Sequence, residues 1–263
     1  MLSQIGDIYA FILGWPALRR INYSIFYLSA RALGMLNHVS VRLSGENYAI
    51  AYALNGKEMP VVFDVGANEG HWIDEVLRYS PQAIIHAFEP QKKLAEIIAL
   101  KYPNIQINNV GVGEAKGYLD LYDYADHSGS QHASLLKGVI DGIHKGSARS
   151  QRVMIESLDE YCEKQNIHHI DFLKIDVEGY EMNVLKGANK ILQSKKVEVI
   201  QFEFNEMNVV AGKFLNDFYQ LFQDNYRLYR LLPHGMTKLD QGAHWFNEQF
   251  VYQNIIAIKI TGN

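Results

Sequence analysis

The stretch that decides the fold is VVFDVGANEG, residues 61–70. An apolar run leads into Asp64 and a turn that contains Gly66 and Gly70, and a segment with helical spacing of apolar residues follows. Strand, glycine-bearing turn and helix, in this order, begin the nucleoside-cofactor site of many α/β sheets. Glycine lets the backbone turn sharply and approach a ligand closely. The stretch therefore predicts a cofactor loop.

The charge of this loop narrows the choice of ligand. Asp64 and Glu69 flank the turn, whereas a pyrophosphate at a helix N-terminus needs N–H groups and no nearby carboxylates. Asn68 stands where G-x-G-x-x-G has its middle glycine, and no GK[ST] follows, which excludes a P-loop. We expect a cationic part of the ligand to bind at this loop.

A second acid supports a cofactor site. Residues 83–90, AIIHAFEP, form an apolar run that ends at Glu89, 19 residues after Gly70. Dinucleotide-binding folds place an acid about 20 residues on, where it binds the ribose hydroxyls. A single strand that ends in Asp and Gly is common in any α/β protein, so the pairing of the two motifs carries the prediction.

From residue 60 onward, predicted strands and helices alternate, which is typical of a mainly parallel α/β sheet. The predicted strands are 60–65, 83–88, 105–110, 171–176 and 197–204. The predicted helices lie near 70–79, 91–101, 157–165, 180–193 and 213–224. Two terminal strands, 226–232 and 249–260, are expected to pair antiparallel at the sheet edge. Residues 113–150 interrupt the alternation with one short strand and a long loop, which predicts a functional or disordered insert.

Five acids are expected to converge at one edge of this sheet. DFLKIDVEGYE, residues 171–181, places Asp176 and Glu178 at the carboxyl end of the fourth strand, where open α/β sheets bind ligands. Asp64, Glu89 and Glu203 follow other strands at the same edge. Singly, each acid is explained equally well as a helix N-cap or first-turn residue. Together they would repel one another unless a cationic cofactor or a divalent metal neutralises them.

The composition argues against several other classes of protein. The 263-residue chain carries a net charge of −4, which argues against a nucleic-acid-binding protein. Cys162 is the single cysteine, so a reducing, cytoplasmic compartment is expected. The N-terminus has no basic region ahead of its apolar stretch, as a signal peptide would. The uncharged run 8–18 is too short to span a bilayer.

Residues 1–58 predict a helical extension ahead of a domain at 59–263. Ile5, Ile8 and Ile12 have helical spacing, and a similar pattern follows Pro16. Residues 1–45 carry four arginines against Asp7 alone, a net +3. We expect a cap packed on the domain, a lid or a homodimer contact. The alternative is a peripheral membrane-surface element formed by 1–45.

DVGANEG, HAFEP, the Ser-Leu-Asp segment at 157–159, DFLKIDVEGYE, LKGA at 185–188 and FEFN resemble the FkbM-type methyltransferases. The resemblance covers roughly 58–205. It implies a class I methyltransferase fold, with a Rossmann-like sheet of seven mostly parallel strands, and S-adenosylmethionine as cofactor. It also implies O-methylation of a hydroxyl on a sugar, glycoconjugate or natural product.

The same resemblance implies the site residues. The loop would hold the methionine end of the cofactor, Glu89 the ribose, and residues after the third strand the adenine. The implied cofactor-binding residues are Asp64, Gly66, Ala67, Asn68, Gly70, Glu89, Pro90, Asn109, Val110, Gly111, Asp176 and Glu178.

A hydroxyl acceptor needs a base, and the candidates are Asp176, Glu203 and His132, the last in the 113–150 insert. We expect no metal, because no histidine lies near the acids in sequence. A metal-dependent O-methyltransferase with Asp176, Glu178 and Glu203 as ligands remains an alternative. So do a nicotinamide-dependent oxidoreductase and a non-catalytic scaffold.

Overall fold

The computed structural model of the chain describes residues 2–38, 40–126, 129–130, 132–240 and 244–261. Its strands are β1 (Val61–Val65), β2 (Ile84–Phe88), β3 (Gln106–Asn108), β4 (Gly111–Val112), β5 (Gly117–Tyr124), β6 (Ala148–Glu156), β7 (Ile170–Ile175), β8 (Val197–Phe204), β9 (Tyr226–Leu232), β10 (Gly235–Lys238) and β11 (Gln253–Lys259).

The helices cluster at the N-terminus and between the strands of the sheet. They are α1 (Leu2–Leu13), α2 (Arg19–Ala32), α3 (Val41–Ser44), α4 (Glu46–Leu54), α5 (His71–Tyr79), α6 (Lys92–Lys101), α7 (Leu158–Lys164), α8 (Glu181–Lys186), α9 (Asn189–Gln193), α10 (Met207–Ala211), α11 (Leu215–Phe222) and α12 (His244–Asn247). A 3₁₀ turn (Pro16–Leu18) and a π-helical turn (Val139–Ile143) complete the elements.

Eight strands form the main sheet, in the order β10-β9-β11-β8-β7-β1-β2-β3. In this sheet the five neighbouring strands β8, β7, β1, β2 and β3 are parallel to one another. Strand β11 runs antiparallel to both β8 and β9. The predicted α/β fold with a Rossmann-like, mostly parallel sheet is confirmed. Seven strands were expected, and β10 adds an eighth by forming a tight hairpin with β9 at one edge. The terminal pair is antiparallel as predicted, but β11 lies inside the sheet and not at its edge.

The central strand β1 shows why the sequence specifies this sheet. It lies between β2 and β7, which pair with both of its edges, and helices cover both of its faces, so Val62, Phe63 and Val65 are buried. Parallel strands covered on both faces have nearly continuous apolar sequences. Val62 packs among α4, α5 and α6, whereas Phe63 packs among α7, α8, α9 and α11 on the other face. The carboxyl end of β1 is thereby fixed between two buried layers.

The insert is more structured than the sequence suggests. Strands β4, β6 and β5 form a second sheet at the two ends of the insert, and a π-helical turn (Val139–Ile143) lies between β5 and β6. Strand β6 begins with five exposed residues, 148–152, and only its second half buries apolar side chains, those of Val153 and Ile155. The exposed half has no apolar alternation that would reveal a strand, and it pairs with β5 along its length.

The helix predicted at 180–193 is divided into α8 and α9. Gly187 ends α8, and a Cβ there would lie 1.9 Å from the carbonyl oxygen of Gly113. The insert therefore approaches the helix backbone too closely for any larger residue, and the helical segment breaks at this contact.

The N-terminal region is helical, as predicted, but its two parts differ. Ala49, Ile50 and Ala53 of α4 are buried against the sheet. The side chains of α1 and α2 are almost all exposed. Over the described residues, no helix combines the length and apolar character needed to cross a bilayer. The proposed domain boundary at 58/59 stays a prediction.

Candidate functional site

A cleft of about 720 Å³ opens at the carboxyl edge of the sheet. Segments that follow β1, β2, β7 and β8 line it, together with the insert and with His38, Ser40, Val41 and Glu46. Parallel α/β sheets bind ligands at this edge, because the turns after neighbouring strands diverge there. Most of the residues predicted from the sequence are therefore brought into one cavity.

The turn after β1 is shaped by close backbone contact. Gly66 has φ +87°, and a Cβ there would lie 1.8 Å from the carbonyl oxygen of Asp176, so the turns after β1 and β7 meet at this glycine. Asn68 has φ +48°, a conformation that asparagine tolerates better than most residues. Asn68 thus adopts the left-handed conformation at the position where the dinucleotide motif has a glycine.

Glu89 ends β2 and is buried in the cleft wall, with 4% of its surface exposed. Its Oε2 accepts a hydrogen bond from the backbone N–H of Asn68 (2.9 Å), and its Oε1 accepts one from Gln91 (2.8 Å). Burial raises the pKa of Glu89 to about 7, although these two bonds lower it. Each carboxylate oxygen keeps a second lone pair for a ligand hydroxyl.

Lys174 supplies a cation that the sequence reading missed. Its Nζ donates to Oδ1 of Asp64 (3.4 Å) and to Oδ2 of Asp176 (3.1 Å), and all three come from the facing strands β1 and β7 or their ends. Burial lowers the pKa of Lys174, but Asp176, Asp64 and Glu46 outweigh it and raise that pKa above its usual value. The sequence does contain an indication of this ion pair. Lys174 precedes Asp176 by two residues, so their side chains lie on the same face of the strand.

The turn after β7 presents Glu178 to the cleft. Glu178 has φ +52°, and the buried Glu181 holds the turn by accepting from the N–H groups of Val177 (3.3 Å) and Gly179 (3.0 Å). Burial raises the pKa of Glu181 to about 8. Burial, followed by repulsion from Asp176 and Glu178, raises the pKa of Glu203 well above its usual range.

The insert brings two histidines to these acids. His132 Nδ1 lies 3.5 Å from Glu178 Oε1, and the rings of His132 and His144 are 4.2 Å apart. Ser134 Oγ donates to the Glu178 carbonyl (2.7 Å), which fixes the insert over the cleft. The contact with Glu178 raises the pKa of His132, although burial opposes it. Histidines distant in sequence are therefore close in space, contrary to the reasoning that led us to expect no metal.

Among the described residues, one group has metal-ligand geometry: His132, His144 and Glu178, whose ligand atoms lie within 4.8 Å of one another. The predicted alternative set, Asp176, Glu178 and Glu203, does not form such a group there. Asp176 is engaged by Lys174 instead.

Most of the predicted site residues line the cleft, and the exceptions lie just behind it. The residues that line it are Gly66, Ala67, Asn68, Glu89, Pro90, Val110, Gly111, His132, Asp176, Glu178 and Glu203. Asp64 lies fully buried beneath the floor, and Gly70 caps α5. Asn109 supports the turn after β2 by donating to the carbonyls of Glu89 (2.9 Å) and Pro90 (3.0 Å).

Two further residues of the site escaped the sequence reading. Glu46, at the start of α4, lines the cleft and accepts hydrogen bonds from Ser44 (2.8 Å) and Gln201 (3.2 Å). His144 lies in the insert, and no local spacing marks it as a partner of His132. The N-terminal extension thus contributes a charged side chain to the cleft.

Among the described residues that line the cleft, two buried acceptor oxygens lack a donor: Asn68 Oδ1 and Glu178 Oε2. A ligand that satisfies them must bring N–H or O–H groups or positive charge, because buried polar atoms are normally hydrogen-bonded. The ammonium and ribose hydroxyls of S-adenosylmethionine fit this requirement.

The sheet and the cleft at its carboxyl edge define the class as Rossmann-like proteins with a nucleoside-cofactor site. The sequence model of the methyltransferase FkbM domain matches residues 64–231, and the chain belongs to this family. The match confirms the predicted family, and with it the prediction of a methyltransferase domain that uses S-adenosylmethionine.

Characterised relatives include the AMB antimetabolite synthetase AmbE of Pseudomonas aeruginosa, 28% identical over 57% of this chain. The 2-O-methyltransferase NoeI of Sinorhizobium fredii is 23% identical over 60% of the chain, and the hexuronic acid methyltransferase AglP of Haloferax volcanii is 29% identical over 60%. The aligned regions span 9% of AmbE, 68% of NoeI and 63% of AglP.

Among solved structures, the plantazolicin methyltransferase BpumL in complex with SAH aligns with a TM-score of 0.46 and 11% identity, over 96% of this chain and 93% of that one. An O-methyltransferase from Bacillus cereus, also in complex with SAH, aligns with a TM-score of 0.42 and 12% identity, over 91% and 90%.

Proposed function

We propose that the protein is an S-adenosylmethionine-dependent O-methyltransferase that methylates a hydroxyl on a sugar, glycoconjugate or natural product. The observation that carries the proposal is the set of buried, donor-less acceptor oxygens around an acidic cleft. A dinucleotide would bring pyrophosphate charge to the same acids, which disfavours the nicotinamide alternative. A scaffold would have no need of these buried charges.

Different residues of the chain would bind different parts of the cofactor. Asn68 and Glu178 offer acceptors to the ammonium end of the cofactor, and Glu89 offers two oxygens to the ribose. Val110 and Gly111 line the part of the cleft assigned to the adenine. Orientation of a nucleophile in line with a methyl group supplies on the order of 7–11 kcal/mol of the barrier.

His132 is the base that the geometry favours. An alcohol becomes a good nucleophile only as it loses its proton, and a positioned base contributes about 10²–10⁴-fold. Glu178 faces His132 Nδ1, which leaves Nε2 to accept the hydroxyl proton. S-adenosylmethionine, when bound, supplies the electrophilic methyl group. The side chain of His132 is 46% exposed, so an acceptor entering from solvent reaches it.

The other two candidates are less suited to this role. Asp176 Oδ2 accepts from Lys174 Nζ at 3.1 Å, so one of its oxygens is occupied. Glu203 binds a proton more strongly than an ordinary carboxylate, because burial and its acidic neighbours raise its pKa. One of its oxygens already accepts a hydrogen bond from Asn205 Nδ2 (3.2 Å).

The acceptor class is supported by the relatives. The names of NoeI and AglP describe methylation of a 2-O position and of a hexuronic acid. A cleft with both carboxylates and histidines offers hydrogen-bond partners to a polyhydroxylated acceptor. Homodimerisation and peripheral membrane contact, the two other expectations about partners, are also proposals.

Methyl-labelled S-adenosylmethionine incubated with the protein and a panel of monosaccharides, uronic acids and glycoconjugates tests the proposal. We expect label on a hydroxyl oxygen, located by mass spectrometry, and unchanged turnover in EDTA. Transfer to nitrogen or carbon would contradict the acceptor class. Loss of turnover in EDTA, with recovery on adding zinc or manganese, would show that His132, His144 and Glu178 hold a metal and that His132 is not the base.

A further inference from the structure

Helices α1 and α2 and the turn between them, residues 2–32, form an N-terminal arm whose apolar side chains are not buried. Phe11 is 87% exposed, Leu28 67%, Trp15 66% and Tyr23 64%. Monomeric proteins rarely leave so many large apolar side chains in contact with water on neighbouring elements. The arm therefore presents a surface for a partner.

The exposed residues form ordered faces. Ile5, Ile8 and Ile12 lie on one face of α1, and Ile21, Ile25 and Leu28 lie on one face of α2. Two contacts of Asn22 join the helices: Asn22 Oδ1 accepts from Tyr9 (2.7 Å), and its Nδ2 donates to the Leu13 carbonyl (2.9 Å). The arm is thus a defined amphipathic unit.

The charge of the arm indicates what this partner is. Arg20 and Arg31 are eleven residues apart and share a face of α2 that flanks the apolar one. Among the described residues, no carboxylate lies within ion-pair distance of Arg19, Arg20 or Arg31. Arg19 and Arg31 lie over the rings of Tyr23 and Tyr27 instead. These cations are free to meet an anionic surface, in a chain whose net charge is −4.

The dimensions favour a helix pair that lies along a surface. At 1.5 Å per residue, the 12 residues of α1 measure about 18 Å and the 14 residues of α2 about 21 Å. Either is shorter than the roughly 30 Å hydrocarbon core of a bilayer, and Pro16 separates them. Arginines beside apolar faces, with tryptophan and tyrosine nearby, are the pattern of helices in a membrane interface.

We propose that the N-terminal arm binds the surface of an anionic phospholipid bilayer, with the apolar faces of α1 and α2 in the headgroup region and the arginines on the lipid phosphates. This departs from our expectation from the sequence, which favoured packing on the domain, a lid or a homodimer contact over a membrane-surface element. In the described part of the chain, the domain does not cover the apolar faces of α1 and α2. The first buried apolar side chains are those of Ala30 and Met35.

The attachment would also orient the cleft. After α2, the chain pairs Met35 with Gln253, and Leu36 N donates to the Tyr252 carbonyl (2.8 Å). His38 follows at once and lines the cleft. Docking of the arm would hold the cleft near the headgroups, which favours an acceptor presented at a membrane surface. The inference about a membrane-presented acceptor rests on the proposed function, whereas lipid binding does not.

Co-sedimentation of the 263-residue chain with vesicles tests the proposal. We expect binding to vesicles of phosphatidylcholine mixed with phosphatidylglycerol, little binding to phosphatidylcholine alone, and loss of binding at high salt. The variant R19Q/R20Q/R31Q should bind on the order of 100-fold more weakly, at about 1 kcal/mol for each basic residue near the surface. Phe11→Glu should weaken binding at least tenfold.

Leu100→Glu is the matched control, because Leu100 is 85% exposed on α6 and lies outside the arm. It should bind vesicles like the natural chain. All variants should keep their affinity for S-adenosylhomocysteine, so failure of the lipid proposal is distinguishable from failure of the proposed function. Absent or salt-insensitive vesicle binding would overturn the proposal. So would an arm-dependent dimer in light scattering that Phe11→Glu dissociates, because the occupant would then be a second copy.

Discussion

At the scale of single residues, Glu89 carries the prediction about cofactor binding. Its two oxygens hold the backbone N–H groups of Asn68 and Gln91 and keep lone pairs for the ribose. Glu89→Gln should weaken S-adenosylhomocysteine binding at least tenfold, because a charge-assisted bond contributes about 1.5–3 kcal/mol. Calorimetry measures this affinity.

The pH dependence of the same affinity gives a sharper test. Because burial raises the pKa of Glu89 to about 7, the carboxylate gains its charge as pH rises through 7, and binding should tighten over that range. The step should disappear in Glu89→Gln. Retention of full affinity in this variant, with reduced stability of the empty protein, would show that Glu89 only holds the loop.

His132 and Glu178 give a prediction about catalysis. A base works after it has lost its proton, so kcat/KM should rise with pH on the acidic side. Glu178, and more weakly Asp176 and Asp123, raise the pKa of His132, so this rise should lie above the usual value of about 6.5. In Glu178→Gln the rise should move to lower pH. An unchanged profile, or the same profile in His132→Ala, would exclude His132 as the base.

At the scale of elements, the prediction concerns the ion cluster between β1 and β7. Lys174→Met leaves Asp64 buried without its cation and should lower the free energy of unfolding by about 3–5 kcal/mol. The control Lys101→Met removes an exposed pair with Asp74 and should cost less than about 1 kcal/mol. Urea denaturation measures both.

The double variant Asp64→Asn/Lys174→Met should recover part of the loss, because it removes the unpaired charge along with the cation. Equal stability of Lys174→Met and the natural chain would show that the cluster does not stabilise the sheet.

The same strands show how far sequence alone reaches. Strands β1, β2, β7 and β8 were predicted to within one residue at each end, because burial on both faces gives continuous apolar runs. Strands β6 and β10 were not, because the first five residues of β6 are exposed and β10 is a four-residue strand at the sheet edge with no buried residue. The acids of the site could be placed at one edge from strand order. Lys174 and His144 could not be assigned to it, since their roles depend on which side chains face them across the fold.

At the scale of the whole molecule, one chain combines a buried core with an exposed helical arm. Periodicity predicted the helices of residues 1–58, but it does not reveal whether an apolar face meets the domain, a second copy or a membrane. Residues 38–46 show that the extension also reaches the cleft, through Glu46. The N-terminal helical region therefore contributes Glu46 of α4 to the cleft, whereas its first two helices, α1 and α2, are exposed.

The central claim is that the acidic cleft binds a cationic nucleoside cofactor. Calorimetry of the natural chain with S-adenosylmethionine, S-adenosylhomocysteine and NAD(H) tests it most directly. We predict one-site binding of both sulfur compounds and negligible binding of NAD(H), because the acids that line the cleft, among them Asp176 and Glu178, disfavour a pyrophosphate. Tight binding of NAD(H), with no heat from either sulfur compound, would contradict the account.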